Sequence, residues 1–226
     1  MSRTTIASIA TATVLFLSTA AWAQFEHPDL KSRKIVVKTA VILPPDVKVL
    51  KSGVKGSEEL VEEERKIEGT LPPIIGAVMQ ERHCSADGNS LNSAALEKDQ
   101  ELKYAVADLQ KRFDELFPQL RRKPKDIRKG RFTLGDEVAK LNPSGATDAL
   151  VFVRGFGQSN TGGKVFLSAL AGVSVFSGAV FHVVVVDART GVVLYYGESV
   201  QPQDPVKNPA KTQKAIDRSF KNFPGK

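Results

Sequence analysis

Val180–Ser199 reads VFHVVVVDARTGVVLYYGES, two apolar runs around an acidic, glycine-ended bend. Aspartate at the start of a turn accepts hydrogen bonds from nearby backbone amides, and glycine takes the positive φ at its end. Flanking β-branched runs separated by so short a loop predict a β-hairpin. Asp187 and Gly191 therefore have a structural explanation, and His182, five residues earlier on the same strand, falls on the opposite face. DARTG reads as a bend between two strands.

Working outward, Ala149–Val153 (ALVFV) is a third strand, apolar on both faces. Such strands predict a sheet covered on both sides over part of its area. Lys34–Leu43 reads as an early strand that stops at Pro44-Pro45. Ser57 is a candidate cap for a helix beginning at Glu58, with Gly69 and Pro72-Pro73 ending it and a second piece over Ile74–His83. From Ser93 onward Leu102, Val106, Leu109, Phe113, Leu116 and Leu120 recur at three- and four-residue steps, the clearest amphipathic helix in the chain. Thr133–Asp136 resembles a helix start, and Asn208-Pro209 opens a last helix carrying Ile216, Phe220 and Phe223. The order of strand, helices, strand, hairpin and helix predicts an α/β fold (α+β the alternative) with a mixed sheet, one domain over residues 24–226.

The first residues carry Arg3, an apolar stretch Ile6–Leu17 and Ala21-Trp22-Ala23, the pattern of a secretory signal peptide over residues 1–23. The apolar stretch is too short for a bilayer span, so Gln24 is the expected mature start and the expected location is periplasmic or secreted. The only cysteine is Cys84, far from the cleavage point. Neither lipid attachment nor an internal disulfide is therefore expected. A 42% hydrophobic content is enough for an ordinary core.

The net charge is +7, concentrated in Arg121–Arg131, where seven bases face one acid. Arg121, Arg122, Lys123, Arg128 and Lys129 are candidate contacts for anionic envelope components; a solvated loop is the plainer reading. No aromatics are interleaved for base stacking, so nucleic acid is not an expected partner. VRGFGQSNTGGK (Val153–Lys164) imitates a phosphate loop but fails G-x-x-x-x-G-K-[ST] in both registers, and reads as a flexible loop. His83-Cys84 supplies at most two ligands where zinc needs three or four, so no metal or cofactor is expected. No G-x-S-x-G elbow is present. Phe166–Phe181 (FLSALAGVSVFSGAVF) is apolar and uncharged. It reads either as core feeding the hairpin or as a docking surface, with Phe166, Leu167, Leu170, Val175 and Phe176 the candidate contacts.

In order, the chain presents Leu43-Pro44-Pro45-Asp46, an acidic helix at Glu58–Glu64, DALVFVRGFG (Asp148–Gly157), an apolar glycine-alanine stretch and VDARTGVVLYYGES. This order resembles the TolB amino-terminal-domain-like group of bacterial envelope proteins, which includes the curli-secretion lipoprotein and lipoprotein activators of penicillin-binding proteins. The resemblance implies a non-catalytic α/β module that binds other envelope proteins and in some members forms rings. The chain departs from many members in lacking a lipidation cysteine. The expectation is an exported, non-enzymatic accessory protein that acts by contact with envelope proteins, with a membrane-associating or ring-forming component, in which Phe166–Phe181 inserts or packs between subunits, as an alternative. The remaining alternative is a hydrolase built on His83, Cys84 and His182.

Overall fold

The computed structural model describes residues 23–53, 56–88, 91, 93–142, 144–160, 177–203 and 208–224. Its strands are β1 (Gln24–Glu26), β2 (Thr39–Ile42), β3 (Asp46–Gly53), β4 (Gly56–Glu59), β5 (Ser85–Asp87), β6 (Ala149–Asn160), β7 (Gly178–Asp187) and β8 (Val193–Gln201). Its helices are α1 (Pro28–Lys31), α2 (Val61–Gln80), α3 (Ser93–Lys98), α4 (Gln100–Arg122) and α5 (Pro209–Ser219), with 3-10 turns at Pro124–Lys129 and Asp136–Leu141. The strands form one mixed sheet in the order β1-β8-β7-β6-β2-β5, and β3 carries β4 beside the far half of β6. The expected α/β fold with its C-terminal hairpin is present.

Two apolar clusters, one on each face, make this a three-layer structure. On one face Leu71, Ile75 and Met79 of α2, Ile216 of α5 and Phe220 just after it lie against Val151, Val153, Phe181, Val183 and Val185. On the other, Leu109, Phe113 and Leu120 of α4 pack with Ile127, Phe132 and Val138 over Leu150, Phe152, Val184 and Val186. The doubly apolar strands read from ALVFV and FHVVVV thus have covering layers on both sides.

One edge of β6 is paired by two successive pieces of chain. Ile42 of β2 sits opposite Val151, and Asp46 of β3 sits opposite Arg154, both in parallel. Four steps along one strand match three along the other, so Pro44-Pro45 contains one extra residue. Prolines have no N–H to offer a ladder, which suits them to such a bulge. The extra residue inverts the alternation: Ala40 and Ile42 share a cluster with Val47 and Val49, while Leu43 joins the opposite one. Without that shift the two valines would leave the core their neighbours occupy.

The second edge of β3 is closed by carboxylates. Glu64 Oε1 accepts from the Val49 amide at 2.8 Å and Glu68 Oε1 from the Val47 amide at 3.1 Å. One helical turn on α2 spans about the same distance as two residues of strand, so acids four apart reach amides two apart. Two acids of α2 therefore satisfy a sheet edge.

Several expectations change. Ser57 does not cap a helix; Gly56–Glu59 is strand, with the Ser57 and Ser52 hydroxyls 3.0 Å apart across the β3–β4 pair. Pro72-Pro73 do not divide α2, because Ile67, Leu71, Ile75 and Val78 keep one phase against the sheet through them. The stretch VRGFGQSN is not a loop: β6 runs to Asn160 with β3 on one side and β7 on the other. Early strand character starts at Thr39 rather than Lys34. The long amphipathic stretch breaks at Asp99, whose carboxylate accepts from the Leu102 amide and caps α4. Thr133–Asp136 leads into a 3-10 turn rather than an α-helix.

Deleting Pro45 should invert the facing of Val47 and Val49 and abolish a cooperative thermal transition. Pro45→Ala, which keeps the residue count, should cost only about 1 kcal/mol. Thermal melts followed by circular dichroism distinguish the two.

Candidate functional site

α4 lies as a bar across the second face of the sheet, and a row of four polar side chains runs beneath its far edge. Asp46, Arg154, His182 and Glu198 are cross-strand neighbours on β3, β6, β7 and β8. Arg154 is 8% exposed. Its guanidinium reaches Asp114 (Nε–Oδ1 3.0 Å) and Gln110 (2.7 Å) of α4, pairs with Asp46 at 3.3 Å, and stacks 4.9 Å over the Phe113 ring. A buried arginine held by two carboxylates, an amide and a ring locks helix to sheet, and removing both Asp46 and Asp114 would leave its charge uncompensated.

His182 occupies the next place in the row. Its ring meets Phe117 edge-on at 5.1 Å, and Nδ1 lies 2.9 Å from the Tyr196 hydroxyl, which donates to Glu198 Oε2 at 2.9 Å. The tyrosine has one proton and gives it to the carboxylate, so His182 Nδ1 must be the donor to its oxygen. Burial, assisted by Arg121, depresses the imidazole to about 4. Glu198 Oε2 lies 3.5 Å from Nδ1. At neutral pH the ring is an uncharged, packed link rather than a base facing a substrate.

The other residues set aside for chemistry are placed elsewhere. Asp187 Oδ1 accepts from the amides of Arg189 (2.9 Å) and Thr190 (2.8 Å), and Gly191 has φ +71. DARTG is a turn, as its residues imply. Cys84 is fully buried in the cluster under α2, and its thiol is pushed up to about 12 by burial and then by Asp148. His83 is exposed beside it. The sheet separates Cys84 from His182, so the three residues of the hydrolase alternative do not assemble.

The basic run forms the corner where α4 ends. Its 3-10 turn is anchored by buried Ile127 and closed by Gly130 at φ +61. Arg121 covers the Phe117 ring at 5.9 Å and Arg128 the Phe25 ring at 5.8 Å. Asp126 holds Lys129 at 3.1 Å and Arg131 at 3.6 Å, and the Lys129 bond keeps its carboxyl below the ordinary range. Arg122, Lys123 and Lys125 are exposed and make no ion pair among the described residues. Arg122, Lys123 and Arg131 line a recess of about 270 Å³ with Gln119 and Thr133. All five basic candidates are exposed; Arg121, Arg128 and Lys129 are employed in packing or pairing, and Arg122 and Lys123 make no ion pair among the described residues. Phe166, Leu167, Leu170, Val175 and Phe176 lie outside the described residues.

Two features lacked any signal in the reading of the chain. Past α4, the next row of the sheet places Lys48, Phe156, Val180 and Val200 side by side, with Phe156 44% exposed. A crevice of about 510 Å³ opens at the carboxyl end of β2, between Pro44-Pro45 and Pro72-Pro73. Its Glu68 is occupied by the Val47 amide, and its Arg65 pairs with Glu62. No group of three or more metal-binding side chains occurs among the described residues, and no described helix is long and apolar enough to cross a membrane.

No protein-family model and no curated protein matches the chain. Among solved structures it is similar to the PelC dodecamer from Paraburkholderia phytofirmans at 8% identity, covering 91% of this chain and 97% of that one, TM-score 0.39. A variant of that dodecamer gives 7% identity, 91% and 98% coverage and a TM-score of 0.40. Lipoprotein GNA1162 from Neisseria meningitidis gives 11% identity, 72% and 80% coverage and a TM-score of 0.38. All three likenesses are distant.

The depressed His182 pKa has a sign that can be measured. The unfolded imidazole takes a proton near pH 6.5 and the folded one only near 4, so stability falls as pH drops through that window. His182→Phe should make the loss of melting temperature between pH 7 and pH 4.5 shallower than in the wild type. In the native protein, Cys84 should stay unreactive toward a thiol reagent at pH 8 and react stoichiometrically after unfolding.

Proposed function

We propose that this protein is an exported, non-enzymatic accessory protein of the bacterial cell envelope, a single domain from residue 24 that acts by contact with other envelope proteins. The observation that carries the reading is the division of labour among its polar side chains. Those equipped for chemistry (Asp187, His182, Cys84) are consumed by a turn, a ring stack and a core. Arg122, Lys123 and Lys125, by contrast, stand exposed and unpaired at one corner. Unpaired surface cations raise the encounter rate with an acidic partner and fix its orientation more than they add affinity. The signal-like first residues and the order of elements support the envelope setting, and the absence of a cysteine at the cleavage point supports a free rather than lipid-anchored protein.

The exposed row at Phe156 favours a second reading, in which copies of the chain associate, or dock on a membrane, through that sheet face, with Phe166–Phe176 as further candidate contacts. Light scattering and liposome flotation separate the two readings: the first gives a monomeric mass and no flotation, the second an assembled mass or co-flotation.

Charge reversal tests the first directly. An Arg122→Glu, Lys123→Glu, Lys125→Glu variant should stay within a few degrees of the wild-type melting temperature, since all three are exposed and none makes an ion pair among the described residues. Its association with partners cross-linked in envelope extracts should fall about tenfold or more at low salt. Equal capture by both proteins, or none by either, overturns the proposal.

A further inference from the structure

A second site lies on the opposite face of the sheet, at the amino end of β2. The chain between α1 and β2, the turn after α2 and Pro224 enclose a cavity of about 340 Å³. Its floor is apolar: Leu30 and Val37 belong to the core, and Val36 is 56% exposed beside them. Arg33, Lys38, Arg82 and His83 also line it, and no carboxylate does. The lower limit for small-molecule sites is about 300 Å³, so the space suits a short ligand.

The backbone makes this rim unusual. Arg33 (φ +60) and His83 (φ +59) are the two non-glycine residues with positive φ among the described residues, and both line this one cavity. His83 occupies the left-handed position that ends α2: its amide bonds the Gln80 carbonyl, and the Cys84 amide bonds that of Met79. Glycine is the ordinary occupant of such a position. Basic side chains near a helix end can be explained by bonding to its last carbonyls, and Arg82 does so through Val78 while also pairing with Asp217. The Arg33, Lys38 and His83 side chains show no such bond, and the rim keeps strained basic residues where glycine would be easier.

We propose that this cavity binds the anionic head and first methylenes of a medium-chain carboxylate, with the chain along Leu30, Val36 and Val37 and the carboxylate between Arg33 and Lys38. Charge complementarity selects the class. An apolar floor alone would take any hydrophobe, whereas unpaired cations without a lining acid favour one with a negative head. The site is independent of the basic corner, which lies against α4 on the other face.

Because glycine is favoured at φ +60, Arg33→Gly removes the charge without endangering the fold. Calorimetric titration of the purified protein uses decanoate below its micellar concentration, decanol as the uncharged chain and acetate as the head alone. Decanoate should bind, and decanol and acetate should bind about tenfold more weakly or not at all. Arg33→Gly, Lys38→Gln should lose about tenfold in decanoate affinity while melting at or above the wild-type temperature. The proposal is overturned if wild type does not bind decanoate, if decanol binds equally well, or if the double variant retains full affinity.

Discussion

The structure depends on one mismatch, the single extra residue at Pro44-Pro45 between β2 and β3. β6 is apolar on both faces and must find covering on both. Its far-edge neighbour is one continuous stretch of chain whose alternation would, uninterrupted, send Val47 and Val49 to the wrong side. The bulge resets the count, and the proline pair removes the amides that would otherwise pull the strands back into step. Glu64 and Glu68 then take the edge amides that pairing leaves over. A strand edge satisfied by side chains is a poor template for another chain, so the arrangement also suppresses unwanted sheet addition.

α4 sets the limit of the second core. Up to the line of Asp46, Arg154, His182 and Glu198 the sheet face is dry and aromatic; beyond it Phe156 meets solvent. The polar row is where the helix is fastened, through Asp114 and Gln110 on Arg154 and through the Phe117 ring on His182. A polar network inside a sheet is tolerable because its buried members Arg154 and His182 are bonded by neighbouring side chains of α4 and β8. It also removes from circulation the histidine that a reader of the chain would first suspect of catalysis.

Much of the scaffold was legible in the chain, for identifiable reasons. The DARTG hairpin declared itself by an aspartate and a glycine set between β-branched runs, and α4 by its three- and four-residue spacing. Two of the failures share a cause, a punctuation residue overruled by packing. Pro72-Pro73 looked like a stop, yet the phase of Ile67, Leu71 and Ile75 passes through them. The glycines of VRGFGQSN looked like a loop, yet at Gly155 a Cβ would come within 3.0 Å of Val47 and 3.3 Å of Phe181, a tight fit inside the sheet. β3 went unread although Val47-Lys48-Val49 alternates, because it follows a proline pair. At the basic corner the composition was visible but not the division between Arg121 or Arg128, spent on aromatic rings, and Arg122 or Lys123, left free. The rim of Arg33 and His83 was beyond reach, since a left-handed backbone under an ordinary side chain leaves no trace in residue type.

The order of the sheet places β1 beside β8, and Gln24 fastens that pairing with its amide group, donating to the Arg218 carbonyl and accepting from the Asn222 amide. The opening strand is therefore completed by the closing helix, and the edge cannot be finished until nearly the whole polypeptide has been made. Contacts so distant along the chain slow folding. The leading strand of such a chain takes its place only once the closing helix exists to receive it.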